Sequence, residues 1–225
     1  MNRSLRLSAV ILATSISSLL AQQPATAPAP APAAAAEFKP IVSKIDLKDG
    51  DTLVFLGDSI THQCLYTQYV EDYFYTRYPK RRIHFHNAGV GGDRASNALV
   101  RFDEDVASFK PKYVTILLGM NDGTYTKYEQ GIFDTYQKDM NTVLDRIAAI
   151  GATAVPMTPT MHDARAARMG KKPQEPRDTY YNGVLALYGS WLREQAQVRG
   201  LGLLAQPRAV KGQHTIVVSL SLIHI

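Results

Sequence analysis

The sequence predicts an α/β fold around a mainly parallel sheet, on three observations. Short apolar runs alternate with stretches of helical periodicity, the pattern of strands joined by crossover helices. The runs are short and the helical stretches between them carry apolar residues on one face, which argues for a mainly parallel sheet. Polar, glycine-bearing clusters follow three of the runs, and open α/β sheets bind their ligands at the carboxyl ends of their strands.

The elements follow in order. Residues 1–21 read as a secretory signal: Arg3 and Arg6 precede an apolar stretch from Leu7 to Leu20, and "SLLAQQ" offers cleavage after Ala21. The stretch falls short of the ~20 residues that span a bilayer. Residues 22–37 form an Ala/Pro-rich linker without core-forming side chains, an extended spacer. The folded domain, residues 38–225, then begins near Phe38. Strands are expected at 52–56, 83–86, 113–118, 152–157 and 201–205. Between them one helical face carries Leu65, Tyr69 and Tyr73 beside Tyr66, Val70 and Phe74. A helix over 94–107 is expected to be capped by Asp93. Val143, Ile147 and Ile150 mark a third helix, and residues 180–198 a fourth.

Composition narrows the function. A chain of 225 residues with 45% hydrophobic content buries one core, and its formal charge of +5 is modest. The basic clusters Lys80-Arg81-Arg82 and 165–172 lack interleaved aromatics, so they read as solvated loops and not as nucleic-acid contacts. Cys64 is the single cysteine, which leaves no internal disulfide and makes a semi-buried free thiol the expectation. No His, Asp, Glu or Cys set has metal-ligand spacing, and no cofactor is expected.

The three polar clusters carry the chemistry. They are Gly57-Asp58-Ser59, "NAGVGGD" over 87–93, and "LGMND" over 118–122. Each alone is compatible with a turn or a cap; Ser59 itself reads equally as nucleophile or helix cap. Their succession on the ends of consecutive strands resembles the SGNH hydrolases, the GDSL-type esterases and lipases, over about residues 50–160. The resemblance implies a three-layer α/β/α sandwich with a flavodoxin-like five-stranded sheet. It implies Ser59 of "GDSIT" as nucleophile. It also implies an oxyanion hole built from Ser59 N–H, Gly92 N–H (Gly91 being the lesser choice) and the Asn121 side-chain amide.

An acyl transfer needs those parts: a nucleophile, and donors aimed at the oxygen that becomes negative. It also needs a base, which the family places in a C-terminal Asp-x-x-His block. That block is absent here: the last aspartate is Asp178 and only His214 and His224 follow it. From about residue 205 the chain departs from the family pattern and reads as truncated or frame-shifted. His62, three residues after Ser59, and His162, after the fourth strand, are candidates for substrate contact; His84 and His86 read as packing or edge residues. The resemblance implies an exported, secreted or periplasmic serine esterase of small-molecule or carbohydrate esters, most of all acetyl groups, with no nucleic-acid partner and no stable membrane insertion after signal cleavage. A lipid or aryl esterase, a lysophospholipase, and a non-catalytic ligand-binding relative are the alternatives.

Overall fold

The computed structural model describes residues 45–162 and 178–204. The signal segment, the linker, the basic loop at 165–172, His214, His224 and the stretch from 205 onward lie outside the described residues.

Four strands form one sheet in the order β2-β1-β3-β4: β1 (Thr52–Gly57), β2 (His84–Gly89), β3 (Tyr113–Leu117) and β4 (Thr153–Pro156). Every pairing is parallel. The fifth strand expected at 201–205 is represented among the described residues by an isolated parallel bridge, Met157 to Leu204. Two backbone bonds hold it, Leu204 N–H to Pro156 O (2.9 Å) and Thr158 N–H to Leu204 O (3.0 Å).

Alternation along the strands sorts the core into two layers. Val54 and Leu56 of β1 and Val114 and Ile116 of β3 join one buried cluster; Leu53, Phe55, Tyr113 and Leu117 join the other. The first is covered by α3 (Ala95–Val100), α4 (Phe102–Asp105), α5 (Gln130–Ala149) and α6 (Asp178–Val198). The second is covered by α2 (Leu65–Arg77), through Tyr66, Val70 and Phe74. The product is a three-layer α/β/α sandwich. Among the described residues no helix is long and apolar enough to cross a membrane.

Three helix expectations need correction. Of the two apolar rows on α2, Tyr66, Val70 and Phe74 are buried in the core and Tyr73 packs against it, whereas Leu65 and Tyr69 are 60% and 75% exposed. The helix expected over 94–107 is broken at Arg101 into α3 and α4, with a short 3-10 turn, Ala107–Phe109, beyond. Asp93 does not cap it. Asp93 is committed to an ion pair with Arg101 (2.7 Å), and Arg94 stands at the cap position. The first helical N–H, that of Ala95, is satisfied from outside by Asp122 Oδ1 at 2.9 Å. Ile150 lies just past the end of α5 and is 40% exposed, while Val143 and Ile147 are buried as expected.

Candidate active site

The register of the sheet brings the three clusters to one edge. Gly57 pairs with Gly89 on one side and with Leu117 on the other, so the three strands end level. Chain order reverses direction across β1 and β3, which makes their carboxyl ends the topological switch point of the sheet. Ser59 follows β1 and Asn121 follows β3, so they flank that crevice, and Gly92 follows β2 beside it.

Ser59 opens α1 (Ser59–His62) as its first helical residue. The cap is Asp58, whose Oδ1 accepts the Ile60 N–H at 2.9 Å. Of the two readings of Ser59, the cap therefore falls away. Its hydroxyl makes no hydrogen bond among the described residues, and the residue is half-buried. α1 lies against the ends of β1 and β2 because Gly89 has no side chain: a Cβ there would meet Thr61 C at 2.7 Å, as well as the His62 backbone N–H.

The second cluster is a turn, closed by Asp93 N–H to Val90 O at 3.3 Å. Gly92 adopts φ +83°, a conformation that favours glycine, whereas Gly91 has no such requirement and open space at its Cβ position. The backbone therefore favours glycine at 92 and makes no such demand at 91. The turn is tied to the first cluster by Val90 N–H to Gly57 O (3.1 Å) and to the third by Asn121 Nδ2 donating to Asp93 O (2.9 Å).

Asn121 is held at both ends of its carboxamide, since its Oδ1 accepts the Tyr125 hydroxyl at 3.0 Å. One Nδ2 hydrogen is used on Asp93, leaving the second for a ligand. Thr124 and Tyr125 both have positive φ, 55° and 57°. Non-glycine residues hold that conformation at a cost on the order of 1–2 kcal/mol each, so the surroundings must over-determine it. Tyr125 stacks on Tyr181 of α6 at 5.0 Å, and Tyr181 donates its hydroxyl to Met120 O.

Arg101 staples this edge from beneath. Its guanidinium reaches Asp93 (2.7 Å), Asp105 (2.9 Å), Ala88 O (2.8 Å) and Gly57 O (3.4 Å). Two other carboxylates of this edge are poorly compensated. Burial pushes Asp58 up to about 6, with repulsion from Asp93 adding to it. Burial likewise pushes Asp122 up to about 6, and its Oδ2 is buried without a hydrogen-bond partner among the described residues.

The two candidate histidines take different surroundings. His62 is exposed, and its Nδ1 lies 3.1 Å from Gly89 O, so that nitrogen carries the proton. His162 is half-buried, with its ring edge-on to Tyr125 (5.3 Å) and Tyr181 (5.7 Å) and its backbone held by Asn182. Neither has a carboxylate hydrogen-bond partner among the described residues. Of the other two, His84 is exposed and His86 stacks on Phe109 at 3.6 Å. Cys64 is half-buried and accepts from Asn87 Nδ2 at 3.2 Å.

Sequence reasoning placed Asp122 in the third cluster without a role, and missed Tyr125, Tyr181 and Arg101 as parts of this edge. Tyr125 carried a signal, being an aromatic in the Gly/Thr-rich loop "DGTYT". Tyr181 sits at helical spacing and is indistinguishable in sequence from an ordinary core residue.

Comparison with known proteins agrees with this geometry. Residues 55–218 match the model of the GDSL-like Lipase/Acylhydrolase family. An acetylxylan esterase of Geobacillus stearothermophilus is 29% identical over 116 residues, 44% of this chain and 50% of that protein. A gut microbial diltiazem-metabolizing enzyme superimposes with a TM-score of 0.63 at 24% identity, over 72% of this chain and 38% of its own. The crystal structure of the Geobacillus acetylxylan esterase superimposes with a TM-score of 0.57 at 21% identity, over 71% of this chain and 78% of its own. The chain thus spans half the length of the curated relative it matches. A match over more than half of the chain, on a sheet edge that aligns the serine, glycine and asparagine clusters, places this protein in the GDSL-like lipase/acylhydrolase family.

Proposed function

We propose that the protein is an exported serine ester hydrolase whose substrates are carboxylic esters, foremost small acyl groups such as acetyl on carbohydrates. One observation carries the reading: Asp58 takes over the cap of α1, leaving the Ser59 hydroxyl uncommitted at the switch point, on a strand end level with those that lead to Gly92 and Asn121. The family supports ester hydrolysis, and the acetylxylan esterase relative supports the carbohydrate acetyl class.

In the proposed mechanism Ser59 Oγ attacks the ester carbonyl as its proton passes to a base. The tetrahedral oxyanion is received by the N–H groups of Ser59 and Gly92 and by the free Nδ2 hydrogen of Asn121. The alcohol leaves with a proton, and water then attacks the acyl-serine and regenerates the hydroxyl. All three donors are neutral, so they stabilise charge only as it develops. A base oriented by a carboxylate is required for full turnover. Neither His62 nor His162 is so oriented among the described residues. That observation favours, as the second reading, a ligand-binding relative that uses the same donors without turnover.

Ser59→Ala in the full-length protein separates the two. Hydrolysis of p-nitrophenyl acetate and of acetylated xylo-oligosaccharides, assayed on protein recovered from the exported fraction, should disappear while the circular dichroism spectrum stays unchanged. Hydrolysis that persists in the purified variant removes Ser59 as the nucleophile. Absence of hydrolysis in the unsubstituted protein as well turns the assignment to the binding relative.

A further inference from the structure

We infer that Tyr125 is a positioning residue that orients and polarises the Asn121 carboxamide, an assignment that rests on the oxyanion role given to Asn121 above. A carboxamide has two orientations related by a half-turn, and only one presents Nδ2 to a ligand. Asp93 O, which can only accept, takes one Nδ2 hydrogen at 2.9 Å; the Tyr125 hydroxyl donates to Oδ1 at 3.0 Å. In the flipped state two acceptors would face each other at Asp93. Asp93 O thus excludes the flipped state, and the Tyr125 hydroxyl, which can accept as well as donate, holds the carboxamide in the remaining one through its bond to Oδ1. A donor on Oδ1 further withdraws electrons from the amide, which makes the remaining Nδ2–H a stronger donor.

The loop is arranged around that hydroxyl. Thr124 and Tyr125 are both in the left-handed region, a conformation neither side chain favours. Thr124 N–H to Asn121 O (3.1 Å) and Thr126 N–H to Gly123 O (3.3 Å) close the turn that carries them. The Tyr125 ring is then clamped in a three-ring cluster, against Tyr181 (5.0 Å, 29° between planes) and His162 (5.3 Å, 68°), which also meet each other at 5.7 Å. Such a clamp removes the rotameric freedom that would otherwise weaken a single hydroxyl contact. His162 thereby acts on the site through Tyr125.

Tyr125→Phe keeps the ring and the clamp and deletes only the hydroxyl. With p-nitrophenyl acetate and the full-length protein, kcat should fall about three- to tenfold with KM unchanged. In an Asn121→Ala background the same substitution should have no further effect on kcat. An equal fall in both backgrounds overturns the assignment, because Tyr125 would then act on something other than Asn121. A readout independent of turnover is the side-chain amide pair of Asn121 in a ¹⁵N-correlated spectrum, identified by its loss in Asn121→Ala. Tyr125→Phe should displace that pair more than any other side-chain amide, and an undisplaced pair overturns the assignment whether or not the protein hydrolyses esters. A displaced pair in a protein without Ser59-dependent turnover would keep Tyr125 in place and sink the esterase reading instead.

Discussion

At Ser59 one position along the chain separates a cap from a nucleophile. Asp58, with φ −93° and ψ −152°, is outside the helix and uses its carboxylate on Ile60 N–H; Ser59 is inside and has its hydroxyl to spare. Asn121 shows the complementary economy, with one amide hydrogen and its oxygen fixed by Asp93 and Tyr125 and the other hydrogen left over. Asn121→Ala should therefore lower kcat by about 10²–10³, the usual cost of one oxyanion donor. Thermal unfolding of the variant should shift only by what a pair of partly buried hydrogen bonds contributes, about 1–3 kcal/mol. A kcat within threefold of the parent would exclude the amide from the site. In sequence, Ser59, Gly92 and Asn121 were picked out by the resemblance of their clusters to the family's blocks, and the structure brings those clusters to one sheet edge. Tyr125 was not, since nothing in a linear pattern shows a hydroxyl reaching back four positions across a turn.

At the scale of elements, the site depends on how closely α1 is seated on the sheet. Gly89 ends β2 with no room for a side chain, and the obstacle is the backbone of α1, which cannot swing aside as a flexible side chain would. Gly89→Ala should destabilise the fold by about 1–3 kcal/mol in urea unfolding, the range for overpacked sites, and displace Ser59 along with its helix. Gly91→Ala, two residues further on and with open space at its Cβ position, should stay within about 0.5 kcal/mol of the parent. Equal midpoints for the two variants would disprove the seating of α1 on β2. Element positions were largely legible from periodicity, as β1, β3 and α6 show. The break at Arg101 was not, because it accompanies a guanidinium that reaches Gly57 and Ala88, both remote in sequence.

Across the whole molecule, the sheet edge imposes a pH dependence on stability. Asp58 and Asp122 are both raised by burial to about 6 from the ordinary carboxylate value of 3.8. In the unfolded chain they release their protons near pH 4, whereas in the folded protein they retain them to about 6. Between those limits the native state binds more protons, so stability falls as pH rises and levels off above about 6. Each group contributes on the order of 1–3 kcal/mol to that fall. Asp122→Asn retains an acceptor oxygen for Ala95 N–H and cannot ionise. Unfolding midpoints followed from pH 4 to 7 should decline less steeply in Asp122→Asn than in the parent. A slope as steep as the parent's would show that Asp122 is not held protonated. A reading of the sequence could not foresee this, since Asp58 and Asp122 become costly charges only once the layers close over them.

The sequence by itself determined the α/β class, the residue types of the candidate site and their order on successive strand ends. These follow from local periodicity and from what acyl-transfer chemistry requires, and both are written along the chain. Tertiary structure alone decided that β1, β2 and β3 end level, that Asp122 caps α3 from across the crevice, and that Asp93 pairs with Arg101. It also decided that the fourth-strand edge meets Leu204 in a bridge and not in a longer strand among the described residues. Each of these joins positions far apart in the chain, where register, burial and the competition among polar partners settle the outcome.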